Sequence, residues 1–113
     1  MTQRNKELIL VDLCARLPYE VKIQVNEWTS LDTVLKVGHV ARLINGDIEL
    51  KPYLRPMNSM TEEEEIYYNT VYTTLKFYEK EDWLNAHHFD YRGLIPKGLA
   101  IAVTKKNNSY ANN

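Results

Sequence analysis

The sequence predicts an α+β fold: an N-terminal helix, a small antiparallel sheet of about four strands, and helices in the second half packed on that sheet. Three observations predict it. An early apolar stripe repeats at helical spacing, an alternating run follows, and an Asn-Gly pair sits between two further alternating runs. Residues 1–103 read as a single domain, because a chain of 113 residues is near the commonest domain size. Residues 104–113 are polar and Asn-rich, and are expected to be disordered.

The first helix is predicted from about Asn5 to Leu17. Leu10, Leu13, Cys14 and Leu17 fall at i, i+3, i+4 and i+7, one stripe of a helix. Arg4, Lys6, Asp12 and Arg16 are left for the wetter positions, and Pro18 ends the run. Cys14, on the stripe, reads as a small core hydrophobe rather than a reactive thiol.

The period then switches to two. Val21, Ile23 and Val25 alternate with Lys22, Gln24 and Asn26, the pattern of a half-buried strand. Thr29, Ser30 and Asp32 read as a turn, and Thr33 to Val37 as a second strand. Asn45-Gly46 is the preferred pair for a type I′ hairpin. Pairing outward from it sets Leu43 opposite Ile48, Ala41 opposite Leu50, and Arg42 opposite Glu49. Pro52 and Pro56 then bracket an extended segment.

Ser59-Met60-Thr61-Glu62-Glu63-Glu64-Glu65 announces a helix start. Ser59/Glu62 and Thr61/Glu64 both match the capping box, and acids suit the positive end of the helix dipole. Capping accounts for the acidic run without a cation. Tyr67, Val71, Leu75 and Tyr78 keep helical spacing, with a break expected near Thr73-Thr74, where β-branched residues weaken a helix. Asp82 to His88 reads as a further short helix or the last turns of the same one. Gly93, Pro96 and Gly98 mark a loop, and Leu99 to Val103 a closing strand.

Composition bounds function loosely. The net charge of −1 gives no overall pull toward nucleic acid or anionic lipid. One cysteine allows no intrachain disulfide, and no stretch approaches a membrane span or a secretory leader, which points to a cytoplasmic protein. The densest chemistry lies in Asp82, Trp83, Asn85, His87, His88, Asp90, Tyr91 and Arg92. These residues form either a binding surface or a polar knot that fixes the approach of the final strand. In the knot, Asp90 accepts from loop amides or pairs with Arg92, and a histidine bridges backbone carbonyls.

Metal and catalytic readings are weaker. Adjacent histidines point about 100° apart on a helix, so His87 and His88 do not share a metal unless the backbone breaks between them. Neither a clear nucleophile nor a phosphate loop accompanies them. No catalytic residue, metal or cofactor is assigned. A stacking patch for nucleic acid can be assembled from Lys22, Lys36, Arg42, Lys51, Arg55, Arg92 and Lys97 with Tyr53 and Tyr91. Four consecutive glutamates oppose it.

The strings Lys51-Pro52-Tyr53-Leu54-Arg55-Pro56, Ser59 to Glu64, Asp82 to Ile95 and Lys97-Gly98-Leu99-Ala100 resemble a group of small uncharacterised Bacteroides-type proteins, often of prophage or mobile-element context. The resemblance covers the C-terminal two-thirds of the chain. It implies a mobile-element origin and carries over no activity and no site residue. The expectation is therefore a non-enzymatic protein-interaction module, with nucleic-acid binding second and a His/Asp-dependent enzyme third.

Overall fold

The computed structural model describes residues 2–26, 33–104 and Tyr110. Among these residues the fold is α+β, with four helices around a small mixed sheet. The helices are α1 (Gln3–Arg16), α2 (Val37–Ile44), α3 (Glu62–Thr70) and α4 (Phe77–Ala86). The strands are β1 (Ile23–Val25), β2 (Leu50–Leu54) and β3 (Ile101–Ala102), in the order β1-β2-β3.

Helix α1 is capped by Thr2, whose hydroxyl accepts from Asn5 N at 3.1 Å. Its inward face is not the predicted one. Ile9, Asp12, Leu13 and Arg16 are buried, at the same i, i+3, i+4, i+7 spacing but rotated by one residue, while Cys14 is exposed. The rotation puts two charged groups in the core, and it holds because they neutralise each other: Arg16 Nε donates to Asp12 Oδ2 at 2.8 Å, with neither side chain exposed.

Strand β1 alternates as expected and pairs antiparallel with β2, Ile23 opposite Pro52 and Val25 opposite Leu50. Hydrogen-bonded rungs four residues apart are set by Tyr53 N to Lys22 O (2.9 Å) and Asn26 N to Glu49 O (2.7 Å), and such rungs alternate with unbonded ones along the ladder. Pro52 therefore faces Ile23 on a rung where antiparallel strands exchange no bonds, so its missing N–H costs that pairing nothing. The predicted second strand is reduced to a bridge at Val34, with Leu35 N donating to Val21 O at 2.9 Å, because Lys36 already caps α2. The predicted turn over Thr29–Asp32 lies outside the described residues.

The Asn45-Gly46 hairpin is not formed. Val37–Ile44 is helix α2, with Val40 and Leu43 buried one turn apart and Ala41 exposed. Asn-Gly ends that helix instead. Gly46 sits at φ +79°, Gly46 N donates to Leu43 O at 3.1 Å and Asp47 N to Arg42 O at 2.9 Å, which is a Schellman motif. Both turns need a positive φ at the glycine, so the dipeptide is ambiguous. The apolar spacing decides, and it runs at the helical period.

The closing strand is also revised. β3 pairs parallel with β2, Tyr53 opposite Ile101 and Leu54 opposite Ala102, so the sheet is mixed and has three strands rather than four antiparallel ones. A parallel neighbour requires a long crossover, and the chain from Arg55 to Ala100 supplies it. This crossover carries α3 and α4. They do not lie chiefly on the sheet: α3 meets mainly the 3-10 turn Tyr72–Thr74 that follows it, and α4 meets α1.

The helical break near Thr73-Thr74 is present. α3 starts with a capping box, Glu64 N to Thr61 Oγ1 at 3.2 Å and Thr61 N to Glu64 Oε1 at 2.8 Å. It stops at Thr70, where Thr70, Thr73 and Thr74 hydroxyls donate to carbonyls three or four residues back, competing with the backbone pattern. The core lies among α1, α2 and the sheet, with Leu13, Ile23, Leu50, Leu54 and Leu94 in one cluster. Among the described residues, no helix is long and apolar enough to cross a membrane.

Candidate functional site

The chain leaves α4 through His87, which closes the helix with its N–H on Trp83 O at 3.1 Å. His88 takes a left-handed turn at φ +63°, and Phe89 then runs beside Arg55 as a single parallel bridge. Arg55 N donates to His88 O at 2.8 Å and Asp90 N to Arg55 O at 2.9 Å. The backbone thus breaks between the two histidines and sends their rings to different places. His87 enters an open cleft, and His88 is half-buried, its ring stacked on Tyr110.

Below this break lies a buried clamp. Asp12 accepts from Arg16 Nε at 2.8 Å and from Arg92 Nη1 at 2.9 Å. Arg16 reaches further, donating Nη2 to Phe89 O at 2.6 Å, while its Nη1 is buried without a partner. Arg92 lies over the Tyr91 ring at 4.5 Å, and Tyr91 donates its hydroxyl to buried Asn85 Oδ1 at 3.1 Å. Asp90 binds loop amides rather than Arg92, accepting from Leu94 N at 2.8 Å and Ile95 N at 2.9 Å. One helix, one loop and a strand entry are tied together by charge-assisted bonds.

Above the break is a cleft of about 780 Å³, lined by Arg55, Ser59, Thr61, Glu64, His87 and Tyr110 among others. Arg55 and Glu64 are paired across it, and Glu63 adds a further carboxylate to its lining. The Arg55 guanidinium is bidentate on Glu64 and stacks over Phe89 at 4.3 Å. Hydrogen bonds from Arg55 hold the Glu64 carboxyl down at about 2, against the opposing effect of burial. His87 Nδ1 lies 3.4 Å from Glu64. Burial lowers the His87 pKa, Glu64 pulls it part of the way back up, and Arg55 lowers it further, for a net shift downward.

Burial, reinforced by Arg16, pushes His88 down to about 4. Its Nδ1 is buried without a hydrogen-bond partner. Among the described residues, neither histidine bridges backbone carbonyls through its side chain. Among the described residues, no three His, Cys, Asp or Glu side chains converge as metal ligands would. Thr61 Oγ1 is occupied by its cap and Ser59 Oγ donates to Pro56 O at 2.6 Å, so neither hydroxyl is aligned on His87 as a nucleophile.

Trp83 gathers the remaining aromatics. Its ring lies 5.1 Å from Tyr67, 5.6 Å from Tyr72, 4.7 Å from His87 and 5.7 Å from Phe89. Asp82, one residue earlier, is exposed; burial first, and then the charge of Asp82 and its hydrogen bond, raise the Tyr19 pKa. The eight predicted residues therefore divide. Asn85, Asp90, Tyr91 and Arg92 belong to the clamp, His87 to the cleft wall, Trp83 to an aromatic cluster that includes the His87 ring, His88 to a covered slot, and Asp82 to the surface.

Sequence reasoning missed Asp12 and Arg16 as clamp members, Arg55 and Glu64 as the cleft's ion pair, and Tyr110. The signals were faint but present: an i, i+4 Asp-Arg pair, a carboxylate at the cap position, and a lone aromatic in an Asn-rich stretch. Most of residues 104–113, expected to be disordered, lies outside the described residues, but Tyr110 is packed against the sheet. No family model, curated protein or solved structure matches this chain.

Proposed function

We propose that this chain is a non-enzymatic protein-interaction module that engages another protein through α3 and the start of α4. One observation carries this reading. From Arg55 to Trp83 no residue is buried, yet Phe77 is 75% and Tyr78 59% exposed, and Ile66 and Val71 also face water. Of the seven large apolar side chains exposed among the described residues, four fall between Ile66 and Tyr78, across α3 and the start of α4; a concentration of this kind marks a surface completed by a partner, and aromatics are enriched in such surfaces.

Nucleic acid is the less favoured partner. Arg55 and Arg92 are already paired with carboxylates and Tyr53 is buried, which depletes the basic and stacking groups such a patch requires. A role as a cytoplasmic accessory protein of a phage or mobile element rests on the resemblance of the sequence strings and on the single cysteine. Enzymatic use of His87 has little support, because its nearest carboxylate is committed to Arg55.

A photo-crosslinking residue placed at Phe77, with Glu7 on the exposed side of α1 as control, tests the reading in native lysate. One dominant protein adduct from position 77 and none from position 7 is expected. Identical adducts from both positions, or none from either, would overturn it.

A further inference from the structure

The antiparallel ladder between β1 and β2 has an incomplete rung at each end: at Asn26–Glu49 the open Glu49 N–H is met locally by Asn26 Oδ1 at 2.8 Å, and the other lies at Lys22–Tyr53. Tyr53 N donates to Lys22 O at 2.9 Å, and the reciprocal bond from Lys22 N to Tyr53 O is missing. Such residues normally exchange both bonds. A phenol hydroxyl fills the gap: Tyr110 Oη accepts from Lys22 N at 2.7 Å and donates to Tyr53 O at 2.8 Å. Its ring lies flat on His88, centroids 3.8 Å apart and planes within 13°.

The slot is specific in its chemistry. Only a group that both donates and accepts at one atom satisfies the open N–H and C=O together, and a hydroxyl does so. The His88 ring supplies a flat apolar wall, and its left-handed backbone, pinned through His88 O by Arg55 N, sets that wall beside the rung. Burial raises the Tyr110 pKa, so the hydroxyl keeps the proton it donates.

We infer that the gap between His88 and the Lys22–Tyr53 rung is a phenol-recognition site, occupied in cis by Tyr110 and open to a tyrosine side chain of a partner segment only when Tyr110 withdraws. This site is separate from the exposed α3–α4 surface and does not depend on it. A segment presenting a tyrosine here would gain two hydrogen bonds from its hydroxyl to backbone groups and a stacked ring, recognition by a single side chain at the end of the β1–β2 ladder.

The test is chemical rescue in the full-length chain. Tyr110→Ala vacates the slot, and p-cresol, the tyrosine side chain as a free molecule, is titrated into it while Lys22 amide and His88 ring resonances are followed. Saturable shifts in the millimolar range are expected for the variant, the affinity of a fragment this small. The native chain should show no such shifts, and toluene, which lacks the hydroxyl, should bind about tenfold more weakly. Equal response of both proteins, no response in the variant, or equal binding of toluene would overturn the inference. Tyr110→Phe keeps the ring and guards against collapse of the vacated slot. Its Lys22 amide should exchange about tenfold faster than in the native chain, and unchanged exchange would also overturn the inference.

Discussion

Replacing Asp12 with alanine is expected to destabilise the protein by about 3–5 kcal/mol, the cost of leaving a buried charge without its partner. The carboxylate is fully buried between Arg16 and Arg92, and Arg16 is itself 0% exposed. Removing it strands one guanidinium in the core and frees the other to leave. Since small domains are stable by only about 5–15 kcal/mol, this single change should bring the chain near its threshold. Equilibrium unfolding in denaturant measures it. Asp12→Asn separates charge from shape: it keeps the volume and one acceptor, and should be milder than alanine yet still costly. Arg4→Ala, on the exposed part of the same helix, should cost no more than about 0.5 kcal/mol.

The second large effect is local rather than global. Trp83→Ala removes the ring that Tyr67, Tyr72 and Phe89 pack around. Aromatic pairs contribute about 0.5–1.5 kcal/mol each beyond area burial, and α3 has no buried residue of its own with which to replace them. Amides over residues 62–78 should therefore lose most of their protection from hydrogen exchange. The Tyr53 amide, in the sheet, should keep its protection, because the core cluster of Leu13, Ile23, Leu50 and Leu54 does not include Trp83. Parallel loss in both regions would mean that α3 is part of the core's cooperative unit.

These two variants show why part of the fold was legible in sequence and part was not. Local chemistry was readable: the Thr61/Glu64 cap, the β1 alternation and the break at Thr73-Thr74 are each decided within a few residues. What failed depended on distant partners. Asp12 belongs on a wet face until Arg92, far along the chain, meets it and makes burial tolerable. Asn45-Gly46 satisfies the same positive-φ requirement in a hairpin or at a helix end, and only the burial of Val40 and Leu43 selects the helix.

The candidate site divided for the same reason. The density of polar and aromatic residues from Asp82 to Arg92 correctly marked a segment with specific geometry. It gave no hint that the backbone turns at His88 and assigns adjacent histidines to separate environments. Arg55 and Glu64 sit on different elements, and their pairing appears only once the crossover is folded. Tyr110 shows the limit most clearly, since its hydroxyl completes a backbone rung that no side-chain pattern encodes.

In the proposed function, the exposed apolar side chains of α3 and α4 bind the partner while the polar clamp holds the fold. The double variant Phe77→Ser/Tyr78→Ser addresses it directly, read by denaturant unfolding and by affinity for the partner that position 77 captures. Both side chains are mostly exposed, so stability should change by no more than about 0.5 kcal/mol. Affinity should fall at least about thirtyfold, the loss expected when interface anchors of this kind are removed. Unchanged affinity, or a loss of stability large enough to explain the loss of binding, would contradict the account.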